Sequence, residues 1–279
     1  MLILAGLGLT IPRHADNPIH EPASSSCKLS NNVFASGEKF VFKIYYNWTA
    51  VWLSAGEISF TAKDAVVDGR PVHHVMALGE TYKSYEWFYK VKDKYESWID
   101  KETMLPIEFR RDAYEGGYVM KDEFRFDRNS NKVMVKELHG YHDKIIGQPM
   151  KESVRDIPSC THDALSAIYY LRCIDFSKVA EGERIAFDVY IDGEVYHIYA
   201  RYMGKKTIKT RLGKFNTLWI KPLMIKNEYF DGGEQMNVYV TDDANRIPVR
   251  VETPLTVGTL KADLISYGGL KHPFTARAN

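Results

Sequence analysis

The sequence predicts a mainly β protein: two related antiparallel β-meander halves forming a curved sheet or open barrel, with one central buried α-helix. Three observations point there. Runs of strand length with alternating polarity, separated by turn dipeptides, fill most of the chain. A single stretch, residues 161–176, has helical periodicity. Landmarks on one side of that stretch recur on the other at nearly constant spacing.

The elements follow in order. Residues 1–11 are an apolar run of the kind found in the core of a secretory signal, too short to span a bilayer as a helix and without a basic region before it. Residues 1–30 are therefore expected to be a signal-like remnant and linker, and 31–279 a single β-rich domain. Strands are expected over 38–46, where Phe40, Phe42 and Ile44 alternate with Lys39, Val41, Lys43 and Tyr45, and over 55–62. The Asp68-Gly69 turn leads to a strand over 71–78. Residues 85–99 read as one long strand with an aromatic face and a charged face, the alternation of an antiparallel sheet with one wet side. A meander over 107–111, 118–126 and 132–138 follows, and 140–158 has loop composition.

The helix expected over 161–176 takes Thr161 as N-cap and has Asp163 in its first turn, where the helix dipole favours negative charge. Ala164, Ala167, Ile168, Leu171 and Ile174 recur at helical spacing, and Leu165, Tyr169 and Tyr170 extend the apolar surface, so the helix is expected to be buried. Arg172 within it needs a carboxylate, for which Asp93 or Glu115 is the expected partner. Beyond the helix, 184–191 and 194–202 form a hairpin around Asp192-Gly193. Further strands are expected over 207–210, 214–221, 236–241, 247–252 and 259–266.

Four pairs of landmarks tie the half-repeats 33–140 and 180–270. Gly37-Glu38 matches Gly182-Glu183, 145 residues on; Val72 to Met76 matches Phe215 to Trp219 at 143; Asp100 with Pro106 matches Asp242 with Pro248 at 142; and Gly117 to Asp122 matches Gly258 to Asp263 at 141. Asp100 and Asp242 have the character of turn-forming acids, each ahead of a strand-opening proline.

Bulk composition excludes some functions. Lys and Arg number 37 against 36 Asp and Glu, so net charge gives no reason to expect nucleic acid or an anionic partner. The 18 Tyr, 13 Phe and 5 Trp suit strands, and they also suit contact with sugars or lipids. Cys27, Cys160 and Cys173 form no Cys-x-x-Cys pair, and their odd number argues against zinc and against a disulfide framework. Cys160 and Cys173 would stand about 18 Å apart along a continuous helix. Cys27 lacks the upstream Leu of a lipidation site.

The residues Phe34-Ala-Ser-Gly-Glu38, Ala55-Gly56, Phe88 to Asp93, Tyr95-Glu-Ser97, Leu105-Pro106, Glu115-Gly116-Gly117-Tyr118 and Asp163 to Arg172 together resemble exported proteins of the domain-of-unknown-function family numbered 3108. The resemblance covers almost the whole chain after residue 30. It implies an exported, β-rich envelope protein of Gram-negative bacteria, in the periplasm or associated with the envelope. It also implies a fold similar to certain capsule-associated lipoproteins, and it carries over no catalytic residue.

Constellations for chemistry are sparse. His73 and His74 point to opposite faces of a strand, and His139 with His142 lacks further ligands, so no metal is expected. Ser166 shares a helix face with His162 but has no Gly-x-Ser-x-Gly elbow. Glu86, Asp93, Glu96 and Glu115 are the acids from which a glycan hydrolase with paired carboxylates would be built, the alternative function. No dinucleotide or phosphate-loop fingerprint occurs, and no cofactor is expected. The main expectation is a non-catalytic envelope protein, monomeric and not membrane-spanning, that binds a lipid, a glycan or another envelope protein on an aromatic β surface. The expected ligand-binding residues are Trp48, Trp52, Tyr82, Tyr85, Trp87 and Tyr89.

Overall fold

The computed structural model describes residues 27–47, 51–226 and 231–279. The signal-like stretch 1–11 and Trp48 lie outside the described residues. Eight strands precede the long helix: β1 (Lys39–Asn47), β2 (Trp52–Val67), β3 (Arg70–Thr81), β4 (Val91–Asp100), β5 (Pro106–Glu115), β6 (Tyr118–Asp127), β7 (Lys132–Tyr141) and β8 (Lys151–Asp156). A one-turn helix, α1 (His142–Ile145), separates the last two, and the long helix is α2 (Ala164–Cys173). Six strands follow it: β9 (Arg184–Ile191), β10 (Glu194–Thr210), β11 (Gly213–Pro222), β12 (Asn237–Thr241), β13 (Pro248–Pro254) and β14 (Thr259–Gly268).

All fourteen strands belong to one sheet in the order β8-β7-β6-β5-β4-β3-β2-β1-β14-β13-β12-β11-β10-β9. Every neighbouring pair is antiparallel. Two meanders thus meet along β1 and β14, and β8 and β9 form the two free edges. The sheet curls until its flanks touch through side chains: Tyr190 of β9 stands edge-on to Phe124 of β6 at 5.0 Å, and Arg111 of β5 bonds Asp192 in the turn after β9. Side-chain contacts stand where a closed barrel would have ladder hydrogen bonds.

α2 fills the interior, packing on β3, β4 and β9. Leu165 and Tyr169 are fully buried, each worth about 1.5–3 kcal/mol. The helix is shorter than 161–176, and Asp163, not Thr161, caps it. The Asp163 carboxylate accepts the Leu165 and Ser166 N–H groups at 2.8 Å, and the Ser166 hydroxyl accepts the Asp163 N–H at 3.0 Å. Thr161 instead donates its hydroxyl to the Pro158 carbonyl at 2.7 Å. Residues ahead of the cap stay extended because His162 exchanges backbone bonds with Asp188 and Tyr190 of β9, each 2.8 Å long.

Four other expectations are corrected. Residues 85–90 are not strand: N–H groups of Tyr85, Phe88 and Tyr89 fold back on the Tyr82 and Tyr85 carbonyls, and Glu86 pairs with Lys90 at 3.3 Å. Charges at that spacing mimicked the alternation of a strand. The stretch 140–158 contains α1 and β8 besides loop, and 194–210 is one strand that passes Gly204 through a register shift. Cys27 and Cys160 form a disulfide with their Cα atoms 5.3 Å apart, leaving Cys173 buried and free. Odd cysteine number excludes a fully paired framework, not a single bridge.

Equivalent turns open the equivalent strands of the two halves. Gly37 and Gly182 have φ of 95° and 87°, the left-handed region that glycine enters without penalty. Met104 and Arg246, 142 residues apart, take positive φ two residues before Pro106 and Pro248. The Asp100 carboxylate accepts the N–H groups of Glu102 and Thr103 at 2.9 and 2.8 Å. In the second half Asp243 does this for Asn245 and Arg246 at 3.0 and 3.2 Å, whereas Asp242 reaches Lys205 at 2.7 Å.

Candidate ligand cavity

Between α2 and the second half of the sheet lies an apolar cavity of about 250 Å³. Ala167, Ile168 and Leu171 form its helical wall, with Phe42 and Phe60 from β1 and β2 on one flank. Phe187, Ile198, Val238 and Val240 line it from β9, β10 and β12. The connection after β11 bends across one end with Leu223, Met224 and Ile225, and Met224 pairs with Gly233 to hold that bend. These are branched and aromatic strand residues whose inward side chains meet the narrow side of a helix rich in alanine. The small side chains Ala164 and Ala167 leave space where larger ones would complete the core.

Among the described residues Arg172 is the one charged member of the lining. Its guanidinium is held bidentately by the Glu38 carboxylate at 2.7 and 2.8 Å and donates to the Asn245 and Arg246 carbonyls at 3.0 and 3.1 Å. Burial opposes its charge, but the Glu38 carboxylate keeps its pKa above the ordinary value. The partner is therefore Glu38, not Asp93 or Glu115. With the pair satisfied, no free charge faces the cavity from this end.

The first half buries a polar cluster beside its apolar core. Arg111 donates to Asp122 and Asp192, and His139, whose Nε2 lies 3.2 Å from the guanidinium, places that nitrogen 2.7 Å from the Asp122 carboxylate. The donor atoms of Asp122, His139 and Asp192 lie within 4.8 Å of one another, the spacing of a metal site. The Arg111 guanidinium pairs with both acids and supplies the positive charge there. Burial raises the Asp192 pKa to about 6 despite Arg111 beside it. His142, exposed on α1, stands away from this cluster with its ring against Tyr114.

The expected aromatic site lies elsewhere. None of Trp52, Tyr82, Tyr85, Trp87 and Tyr89 lines the cavity. Trp52 opens β2 with the Lys261 ammonium 4.2 Å from its ring. Tyr82 donates to Glu57 at 2.5 Å, and burial followed by that bond raises its pKa to about 12. Tyr85, Trp87 and Tyr89 belong to the β3–β4 loop, where Trp87 is 83% exposed.

The acids considered for glycan chemistry do not converge on the cavity either. Glu86 pairs with Lys90, Glu96 with Lys94 at 2.7 Å and His74 at 3.1 Å, and Asp93 and Glu115 are buried on β4 and β5. Ser166 is bound into the helix cap. His162, its pKa lowered to about 3 by burial and by Arg128, packs on Tyr170.

Fold and cavity together define a curled, unclosed antiparallel sheet wrapped around a helix and an apolar space. A similar fold occurs in a solved β-barrel-like protein of the domain of unknown function DUF1849 from Brucella abortus. That structure superposes with a TM-score of 0.56 over 86% of this chain and 100% of its own, at 9% identity, a likeness of fold alone. No curated protein matches the chain. By sequence the chain belongs to the family described as Protein of unknown function (DUF3108), whose model matches residues 41–265.

Proposed function

We propose that this protein is an exported cell-envelope protein that holds the apolar portion of an amphiphile, a single acyl chain, in the cavity beneath α2. The cavity itself carries the proposal. Its lining is almost wholly apolar, and leaving that surface uncovered costs about 25 cal/mol for each Å² that an occupant would bury. An apolar occupant removes that cost. The volume exceeds the ~150 Å³ of an engineered cavity that takes up benzene and lies just below the usual range for small-molecule pockets. A lining without a free polar group suits a hydrocarbon chain and offers nothing to a sugar ring. Export is supported by the Cys27–Cys160 disulfide, a bond that persists in oxidising compartments, and by the apolar residues 1–11.

Native mass spectrometry of protein purified from its own envelope is expected to show a retained amphiphile. Delipidated protein is expected to bind a fluorescent fatty acid saturably, and Ala167→Phe, which fills the cavity, is expected to abolish that binding without loss of the circular dichroism spectrum. Undiminished binding by a folded Ala167→Phe variant would overturn the assignment.

A further inference from the structure

Thirteen large apolar side chains are strongly exposed among the described residues, and their distribution is uneven. Val66, Leu78, Met134 and Val154 are scattered over strands. The other nine all lie at one end of the sheet, as the strand registers show. Asn47 pairs with Trp52 and Thr259, Gly56 with Thr81, Val91 with Glu115, and Tyr118 with Tyr141. The turns after β1, β3, β5, β7 and β13 therefore share that end. On them Trp52 is 42% exposed, Trp87 83%, Phe88 68%, Tyr141 55%, Ile146 68% and Val257 55%.

The opposite end is closed. There Arg172 and Glu38 lock α2 to the start of β1 and to the β12–β13 turn, and the disulfide-bound segment from Cys27 packs Val33 and Phe34 into the core. The cavity segment after β11 belongs to the apolar end, because Pro222 pairs with Ala200 and Ile220 with Val238. One end of the barrel is thus sealed, and the other brings apolar loop tips and a wall of the cavity together.

We propose that this end docks on the surface of a phospholipid bilayer, with Trp87 and Phe88 of the β3–β4 loop as its principal anchors. Loop tips on separate turns define a plane, not a groove, and a plane of isolated aromatic tips matches the interfacial layer of a membrane, where amphipathic rings settle at headgroup depth. Lysines stand among the tips at the level of the phosphates. Exposed Lys83, Lys90 and Lys92 flank Trp87 and Phe88, and Lys144 lies 5.7 Å from the Tyr141 ring. The one acid of the loop, Glu86, is paired with Lys90. Lysine stems snorkel beside buried rings, and each ammonium adds attraction to anionic headgroups. This surface is distinct from the cavity, so docking does not depend on the cavity's occupant.

Flotation with vesicles tests the assignment. The full chain is expected to float with vesicles of phosphatidylethanolamine and phosphatidylglycerol, and more weakly with phosphatidylcholine alone. Trp87→Ala combined with Phe88→Ala, both exposed and outside the core, is expected to lower partition by about tenfold or more at unchanged melting temperature. Lys83→Gln with Lys92→Gln is expected to remove the preference for anionic vesicles, about fivefold per lysine. Ala167→Phe, with its cavity filled, is expected to float like the wild type, which separates this test from that of the acyl-chain site. Failure of the wild type to float with either vesicle, or equal flotation by the Trp87/Phe88 double variant, would overturn the proposal. Capture of a protein on these loops without vesicle binding would overturn it as well.

Discussion

The two halves of the sheet share strand order, turn positions and proline starts, yet one adds a buried ionic cluster to its apolar interior and the other a cavity. Each contains a cross-strand Arg–Asp pair, and the pairs face different sides. In the first half Arg111 and Asp122, directly opposed on β5 and β6, point inward and reach Asp192 across the barrel. In the second half Arg250 and Asp263 are equally opposed on β13 and β14, at 2.5 and 2.9 Å, but their neighbours Val251 and Ala262 line the cavity. That pair therefore points to the other face of the sheet, where Asp263 is nonetheless buried. A register shift between Val41 and Phe42, where β14 carries an extra residue, accompanies the change. A bulge inverts the facing of every residue beyond it. One inserted residue thus accompanies the difference between an Arg–Asp pair that faces the interior and one that does not.

This contrast can be broken most forcefully in the first half. Arg111→Ala leaves Asp122 and Asp192 buried without their cation and is expected to cost about 3–5 kcal/mol, measured by urea unfolding. Arg250→Ala also leaves a buried carboxylate, Asp263, without its partner, but Arg250 itself is only partly buried and a single acid is involved, so the cost is expected to be smaller, about 1–3 kcal/mol. Equal losses would mean that the two pairs do the same work.

A second junction of the halves, the seam where His162 pairs with β9 near Arg128 of the first half, supplies the second test. His162 is neutral when folded, with a pKa of about 3 set by burial and by Arg128, whereas an unfolded histidine titrates near 6.5. Its contribution is complete above the unfolded value and declines as pH falls toward 3, because the unfolded chain takes up the proton first. By pH 4 the loss is expected to reach ~3 kcal/mol. Asp163 works in the reverse sense: burial raises its pKa to about 6, so its share favours the folded state at acid pH and is lost as pH rises toward 6. The difference in stability between wild type and His162→Gln, followed from pH 7 to 4, isolates the histidine. A difference that stays constant would place His162 in a wetter site than the seam.

The smallest effects sharpen the contrast furthest. Ala113→Leu adds volume to the packed first half and is expected to destabilise by about 1–3 kcal/mol. Ala167→Leu adds the same volume beside the cavity and is expected to be neutral or slightly stabilising in delipidated protein. Thermal unfolding of the two variants decides the matter, and destabilisation of both would show that the cavity has no room to give.

Much of this fold was legible in the residues. Alternating Phe40, Phe42 and Ile44, the Asp68-Gly69 and Asp192-Gly193 turns, and Pro106 and Pro248 placed strands that the structure contains, because each acts through local backbone chemistry. Where distant groups decide, local pattern misled. Arg172 required an acid, and nothing near it in sequence shows that Glu38, 134 positions away, would supply it. Asp163 outcompeted Thr161 as cap because Ser97 and Ser166 converge on it and His162 is drawn to β9. The cavity left no trace, since an inward Ile or Val has the same periodicity whether it meets a neighbour or a void. The exposed ring of Trp87 was visible only as one more aromatic residue in an apparent strand.

The meeting of β1 and β14 at the centre of the sheet also bears on how the chain reaches this state. Neighbours within each meander are joined by connections of two to about fifteen residues, while Lys39 opposes Gly268 at the seam, more than two hundred positions apart. Closing so long a loop costs entropy before any seam contact forms, which makes the central pairing the slow event of folding. Until β14 emerges, β1 presents a bare edge bearing Phe40, Phe42 and Ile44, the kind of edge that recruits other chains. The hazard for this protein therefore lies in the interval before its final strand arrives, and it ends when the first and last strands pair.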